Sequence, residues 1–333
     1  MRFGAALNKR YKSTGTFLIA RFAIGATMTT MKLTQVRVRQ STATKELPEI
    51  RLVNGHSVAV SEYGDKKGAP IFFCHGWPSS RTMAELTERA ACELHLRIIS
   101  PDRPGIRNSS FHPDRKLLDW PPLLGKLADQ LGIGEFRILA ISGGAPYAFA
   151  AAWAMRERVR AIAVVSGAPP LADLMDRGGL LPLYRWLLFF YPRHRELLRF
   201  SFHAVRPFLS LKVPVRIRPL LLKLLQPCDA NVMRDIAAFE ACFESQRQAW
   251  RASADGLMVD AEIYAQPWGF PLEEIQVPVR LWHGKEDRSF HWQLARSLGE
   301  RLPQGVEHLV EAEGHYSLPI RHMDEILADL SLA

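Results

Sequence analysis

Three residues of this 333-residue chain have the types and the order that nucleophilic acyl chemistry needs: Ser142, then Asp287, then His315. A serine hydroxyl is a poor nucleophile near neutral pH, so it needs a base, and the base needs an acid to orient it. Ser142 stands in Ala140-Ile141-Ser142-Gly143-Gly144, between the apolar run Phe136–Ala140 and a small-residue helical run that starts at Gly143. A serine exposed on so tight a turn tolerates only small flanking residues, because larger ones would strike neighbouring backbone. Ala140 takes the position where Gly is commoner. Asp287 closes the loop Gly284-Lys285-Glu286-Asp287 and is preferred to Glu286, since the third position after the glycine usually points back to the site. Its plain alternative is a helix N-cap or a surface turn. His315 follows Glu313-Gly314, where glycine lets the loop bend, and is the expected base. His283 at a strand end, His308 inside a strand and His322 in the final helix are weaker rivals.

The charge that develops on the attacked carbonyl oxygen also needs stabilisation, often the largest catalytic contribution. His75-Gly76-Trp77-Pro78 follows a short apolar run, Ile71–Cys74, and is placed for that task. The expected oxyanion donors are the backbone N–H groups of Trp77 and Gly143; Pro78 has no N–H to offer. The plain alternative is a tight turn and nothing more. The Trp77 indole either lines a substrate pocket or packs in the core.

These residues must be carried by strands and helices in alternation. Glu49–Val53 and Ser57–Glu62 alternate about Asn54-Gly55, a two-residue hairpin signal. The apolar run Ile71–Cys74 and the segments Arg97–Ser100, Phe136–Ala140 and Ala161–Val165 read as strands, with helical patterns over Thr82–Leu94, Leu117–Leu131 and Gly143–Met155 between them. Strands separated by such helices imply a parallel sheet with right-handed crossovers. From Pro169 to Gln266 the alternation stops, leaving helical spacing broken by prolines. It resumes with the strand Val279–His283, the helix His291–Arg301, the strand Val306–Val310 and a last helix Pro319–Leu330. Each of the three reactive residues falls at the C-terminal end of an expected strand.

His75-Gly76-Trp77-Pro78, Asp102-Arg103-Pro104-Gly105, the Ser142 turn, the Asp287 loop and Gly314-His315 together resemble the α/β-hydrolase superfamily, over about residues 47–168 and 266–330. The resemblance implies an α/β fold with a mostly parallel eight-stranded sheet. It also implies a core over residues 46–168 and 266–333 and a helical lid over 169–265 above the serine. One departure is Arg107-Asn108-Ser109, where the family often has Gly-x-Ser; it bears on the shape of that loop. Epoxide hydrolases and haloalkane dehalogenases share the His-Gly-x-Pro motif but use an aspartate nucleophile, so Ser142 closes that route. The expected activity is ester hydrolysis through an acyl-enzyme. A carbon–carbon bond hydrolase with the same three residues, and a ligand-binding protein that keeps the fold without turnover, are the alternatives.

The net charge of +9 is not a nucleic-acid signal, because residues 1–45 hold nine Lys/Arg and no acid while the remaining 34 basic residues equal all 34 acids. That segment reads as a tail, a targeting segment of mitochondrial type or a start placed too early, and its apolar stretch Thr16–Met28 is too short to span a bilayer. Residues 177–225 carry ten Lys/Arg, one acid (Glu196) and apolar runs such as Trp186–Phe190. A basic amphipathic stretch can meet an anionic membrane surface or admit a lipid-like ester; an ordinary cap with a solvated basic face is the alternative. Four widely spaced cysteines (Cys74, Cys92, Cys228, Cys242) point to a reducing compartment, with cytoplasm as the default and a mitochondrial or membrane-associated location as alternatives. No metal-ligand spacing, P-loop or dinucleotide fingerprint is present, so no cofactor or metal is expected.

Overall fold

The computed structural model describes residues 50–51, 56–175 and 177–333; the basic segment 1–45 lies outside them. In chain order the first elements are β1 (Ile50–Arg51), β2 (Ser57–Val58), β3 (Val60–Gly64), β4 (Ala69–Cys74), α1 (Glu88–Glu93), β5 (Leu96–Pro101), α2 (Trp120–Gln130), β6 (Phe136–Ile141), α3 (Ala145–Ala154) and β7 (Val159–Val165). Helices alone follow: α4 (Pro182–Phe190), α5 (Arg195–Leu209), α6 (Arg218–Leu222), α7 (Pro227–Val232), α8 (Ile236–Ala252) and α9 (Asp255–Tyr264). The chain then returns to the sheet with β8 (Val279–Gly284), α10 (Trp292–Gly299), β9 (Gly305–Val310), α11 (Ser317–Arg321) and α12 (Met323–Leu332).

The sheet runs β3-β5-β4-β6-β7-β8-β9, with β3 antiparallel to β5 and every other pair parallel. Its central strands are apolar on both faces, as a sheet covered by helices on both sides requires. Residue alternation divides the core in two. Phe72, Cys74, Ile138, Ala140, Ile162 and Val164 meet α2 and α3 on one face. Ile71, Phe73, Leu139, Ile141, Ala163 and Val165 meet α1 and α12 on the other. Phe72 and Ile138 are wholly buried, each contributing about 1.5–3 kcal/mol of transfer free energy. From β4 the chain crosses by α1 to β5 on one side, and from β5 by α2 to β6 on the other. The strand order therefore reverses at β4 and β6, and the crevice outside their carboxyl ends is where open α/β sheets bind ligands.

Three sequence expectations need correction. The described sheet has seven strands, not eight, because the run Ser57–Glu62 is broken at Ala59. There the N–H donates to Ser109 Oγ at 3.0 Å instead of to a strand partner, and β1 and β2 form a separate two-stranded ladder. β1 pairs with β2 in the register Ile50↔Val58 and Arg51↔Ser57; the turn expected at Asn54-Gly55 lies outside the described residues. The last helix is two, parted at His322, and the helix expected over Thr82–Leu94 begins as a 3-10 helix over Arg81–Thr87. Between β7 and β8 the described chain has no strand, only one isolated bridge from Leu180 to Phe290. Among the described residues no helix is long and apolar enough to cross a membrane.

Candidate active site

Ser142 is the first residue after β6 and adopts φ +53°, a left-handed conformation that costs a side chain energy and is held by the packing around it. Its carbonyl accepts from Ala168 N–H at 3.0 Å. The small neighbours are obligatory at Gly144, where a Cβ would stand 2.0 Å from the Cys74 carbonyl oxygen of the adjacent strand. Ala140, inside β6, is wholly buried and fits without a glycine.

The structure brings Ser142, His315 and Asp287 into one chain of hydrogen bonds. His315 Nε2 lies 3.0 Å from Ser142 Oγ, and Nδ1 lies 2.7 Å from Asp287 Oδ2. Asp287 is buried, and its other oxygen accepts from Ser289 N–H at 2.7 Å and Phe290 N–H at 3.2 Å. Burial would raise the Asp287 pKa, but His315 and these donors bring it below the ordinary carboxylate value, so it is a carboxylate at neutral pH. As an acceptor only, it requires the proton on His315 Nδ1 and leaves Nε2 free to take the serine proton. Burial lowers the His315 pKa; the charge and hydrogen bond of Asp287, with the nearby charge of Asp229, more than reverse this and raise it.

Of the rival histidines, His283 is buried beside Asp287 and sits 2.8 Å from the Phe290 carbonyl, which secures the acid's loop. His308 stacks on Trp282 at 4.1 Å, and His322 pairs with Glu325 and Glu313. None of the three reaches Ser142 by a hydrogen bond.

The segment His75–Trp77 passes directly over the serine. A Cβ on Gly76 would lie 3.4 Å from Ser142 Cβ, and one on Gly143 would lie 3.1 Å from Trp77 N. The Trp77 N–H donates to no protein acceptor among the described residues. Trp77 is packed rather than open: its indole N–H donates to the Leu257 carbonyl at 3.0 Å, and its ring meets Tyr184, Phe202 and Tyr264. Those three rings belong to α4, α5 and α9, so the helical segment between β7 and β8 walls this side of the site. Ser142 itself is only 4% exposed.

Sequence reasoning missed three groups on that segment. Asp229 of α7 accepts from the N–H groups of His315 at 3.2 Å, Tyr316 at 3.0 Å and Ser317 at 2.8 Å, gripping the loop that bears His315. Asp260 of α9 is wholly buried between Arg103 and Arg115 and also accepts from Tyr147 Oη at 2.7 Å. Burial would raise its pKa, but the two guanidinium groups hold it down to about 2. Arg103 in turn donates Nη1 to the His75 carbonyl at 2.6 Å and Nη2 to the Gly76 carbonyl at 2.8 Å, fixing the segment that carries the Trp77 N–H. Tyr264 donates to the Gly143 carbonyl at 2.7 Å and so orients that peptide. Asp229 carried no sequence signal, since it lies just beyond the basic stretch 177–225. Arg103 was visible in its motif, without a role. The departure at Arg107 has a simple local account: Arg107 takes φ +50° where glycine is easier, and Ser109 Oγ still bridges to the Asp102 carbonyl at 2.9 Å.

A family model described as the alpha/beta hydrolase family matches residues 71–330, from within β4 to within α12. The chain belongs to the alpha/beta hydrolase family. It is accordingly a hydrolase, and its mostly parallel, helix-covered sheet is the fold expected of that family. Similar solved structures include an esterase from Exiguobacterium antarcticum, 18% identical with TM-score 0.62, over 85% of this chain and 98% of that one. A thermophilic esterase from Thermogutta terrifontis is 18% identical with TM-score 0.59, over 86% and 96%. An enol-lactonase from Burkholderia xenovorans is 16% identical with TM-score 0.61, over 86% and 100%. At such identities the likeness is one of fold. A search of curated proteins finds no match for the chain. Among the described residues no cluster of His, Cys, Asp or Glu could hold a metal ion. A cavity of about 190 Å³ lined by Arg115, Lys116, Trp120 and Lys126 lies elsewhere and touches none of Ser142, Asp287 and His315.

Proposed function

We propose that this hydrolase cleaves a carboxylic ester of a small, apolar or lipid-like substrate through an acyl-enzyme on Ser142. The observation that carries the reading is the continuous hydrogen-bonded chain from Ser142 Oγ through His315 to Asp287, at 3.0 and 2.7 Å. His315 Nε2 accepts the serine proton as Oγ bonds to the ester carbonyl carbon, and Asp287 stabilises the imidazolium that forms. The negative oxygen of the tetrahedral species accepts from Trp77 N–H and Gly143 N–H. On collapse the carbon–oxygen bond to the alcohol breaks, and His315 returns its proton to the leaving alkoxide. Water then repeats the cycle: His315 takes its proton, hydroxide adds to the acyl carbon, and Ser142 leaves with the proton restored. The segment 169–265 serves as a lid, a role supported by the aromatic wall of Tyr184, Phe202 and Tyr264 around Trp77. The esterase and enol-lactonase relatives are in keeping with an ester or lactone substrate.

The test is labelling of the purified chain by a fluorophosphonate, beside Ser142→Ala, followed by p-nitrophenyl esters of increasing chain length. Labelling that vanishes in the variant, with turnover of at least one ester, is the expected result. Folded wild-type protein that takes no label refutes the mechanism and leaves a binding protein. Labelling without turnover of any ester transfers the reading to carbon–carbon cleavage.

A further inference from the structure

Thirteen of the nineteen exposed large apolar side chains among the described residues fall between Leu183 and Leu224. The helix α5 shows why this is not scatter. Leu197, Phe200, Ala204 and Phe208 follow one another at i, i+3, i+7 and i+11, which places them along a single helical face. That face is open: Leu197 is 52%, Phe200 69% and Phe208 76% exposed. Another side of α5 does the packing, with Leu198 and Phe202 buried and Phe202 against Trp77. Arg195 and Arg199 tie the helix to Glu262 and Asp255 of α9. Internal packing therefore accounts for one side of α5 and leaves an apolar stripe without a partner, beyond the scattered exposure normal for a soluble surface. Beyond α5, exposed Leu211, Val215 and Leu220 alternate with exposed Arg216 and Lys223, neither of which has a carboxylate partner among the described residues.

We propose that the outer face of α5, with the chain that follows it to Leu224, docks on the surface of a bilayer containing anionic lipid. Charge selects this occupant. Residues 177–225 hold ten Lys/Arg against Glu196; Arg195, Arg199 and Lys212 pair with acids of α8 and α9, and the basic excess that is left would still repel a second copy of the same face. The chain's own segment 1–45, with nine basic residues and no acid, is equally ill matched. Apolar rings that enter the headgroup boundary beside cations that meet lipid phosphates are the chemistry of an interfacial helix. The docking requires neither Ser142 nor hydrolysis.

Co-sedimentation of the full chain with phosphatidylcholine vesicles, with and without phosphatidylglycerol, tests this. Binding is expected on the anionic vesicles, weakening as salt is raised. Phe200→Ser with Phe208→Ser should weaken it by at least about tenfold, and Arg216→Gln or Lys223→Gln by about fivefold each. Ser142→Ala should bind as wild type, and the two-phenylalanine variant should still hydrolyse a short water-soluble ester, so failure here is distinct from failure of the serine mechanism. Wild-type protein that ignores anionic vesicles, or binding indifferent to both pairs of substitutions, overturns the proposal. A wild-type dimer in light scattering that the two serines dissolve also overturns it, since the face would then join copies of the chain.

Discussion

Replacing Asp229 with alanine removes three hydrogen bonds at once from the loop that carries His315. They span 2.8 to 3.2 Å, and each joins a backbone N–H to a buried carboxylate. Bonds to a charged group contribute about 1.5–3 kcal/mol each, and water entering the vacated volume restores part of the loss. A destabilisation of about 3–5 kcal/mol follows, in the upper tail for a single substitution. The thermal midpoint should fall by roughly 6–20 °C. The loop would also lose its position, and a displacement of about 1 Å at a catalytic base costs about a hundredfold in kcat. The pH profile carries an independent signature. His315 must be neutral to accept the serine proton, and its pKa stands above the ordinary value partly because of Asp229, so activity in the wild type is lost as pH falls through that raised value. Without Asp229 the acid limb of kcat/KM moves to lower pH. Asp229→Asn, which keeps the shape and drops the charge, should shift the limb in the same direction with a smaller stability loss. Thermal unfolding and pH-dependent hydrolysis of p-nitrophenyl butyrate measure both effects. An alanine variant with wild-type midpoint, rate and limb would refute the reasoning, and so would a limb that moves to higher pH.

Asp287→Asn should lower kcat by about ten-thousandfold with KM and near-UV circular dichroism little changed, because the amide no longer enforces the productive tautomer. Asp260→Asn leaves Arg103 and Arg115 buried beside a neutral group and should cost about 3–5 kcal/mol in urea unfolding. The wild-type advantage over that variant should be full above pH 3.8, the ordinary carboxylate value, and vanish as pH falls through about 2, since the folded-state pKa is depressed. Gly144→Ala sets a methyl 2.0 Å from the Cys74 carbonyl oxygen and should displace the serine turn, abolishing fluorophosphonate labelling.

Much of this architecture was legible because local physics and global fold agree. Ile71–Cys74 and Ile138–Ile141 are buried on both faces, so short continuous apolar runs marked these strands. The convergence of Ser142, Asp287 and His315 was legible because a parallel sheet gathers its strand ends along one edge, where a glycine-containing turn stands out. Two kinds of feature were not. The strand break at Ala59 is decided by a hydroxyl fifty residues away, on Ser109, and no local pattern encodes it. Asp229 and Asp260 sit on helices whose own periodicity says nothing of them; their meaning comes from backbone donors and guanidinium groups brought near by the tertiary fold.

The helical segment between β7 and β8 is more than a cover, since Asp229 holds the loop of His315, Asp260 anchors the Arg103 that binds the His75 and Gly76 carbonyls, and Tyr264 fixes the Gly143 peptide. Under the proposed mechanism, specificity and catalysis are thus not exchangeable parts. A segment borrowed from a relative to change the substrate would strip two buried anions and a phenol from the core and disarm it. Conversely, a displacement of α7 and α9 large enough to admit a bulky ester draws on these same contacts, so access to the serine and readiness of its base would rise and fall together.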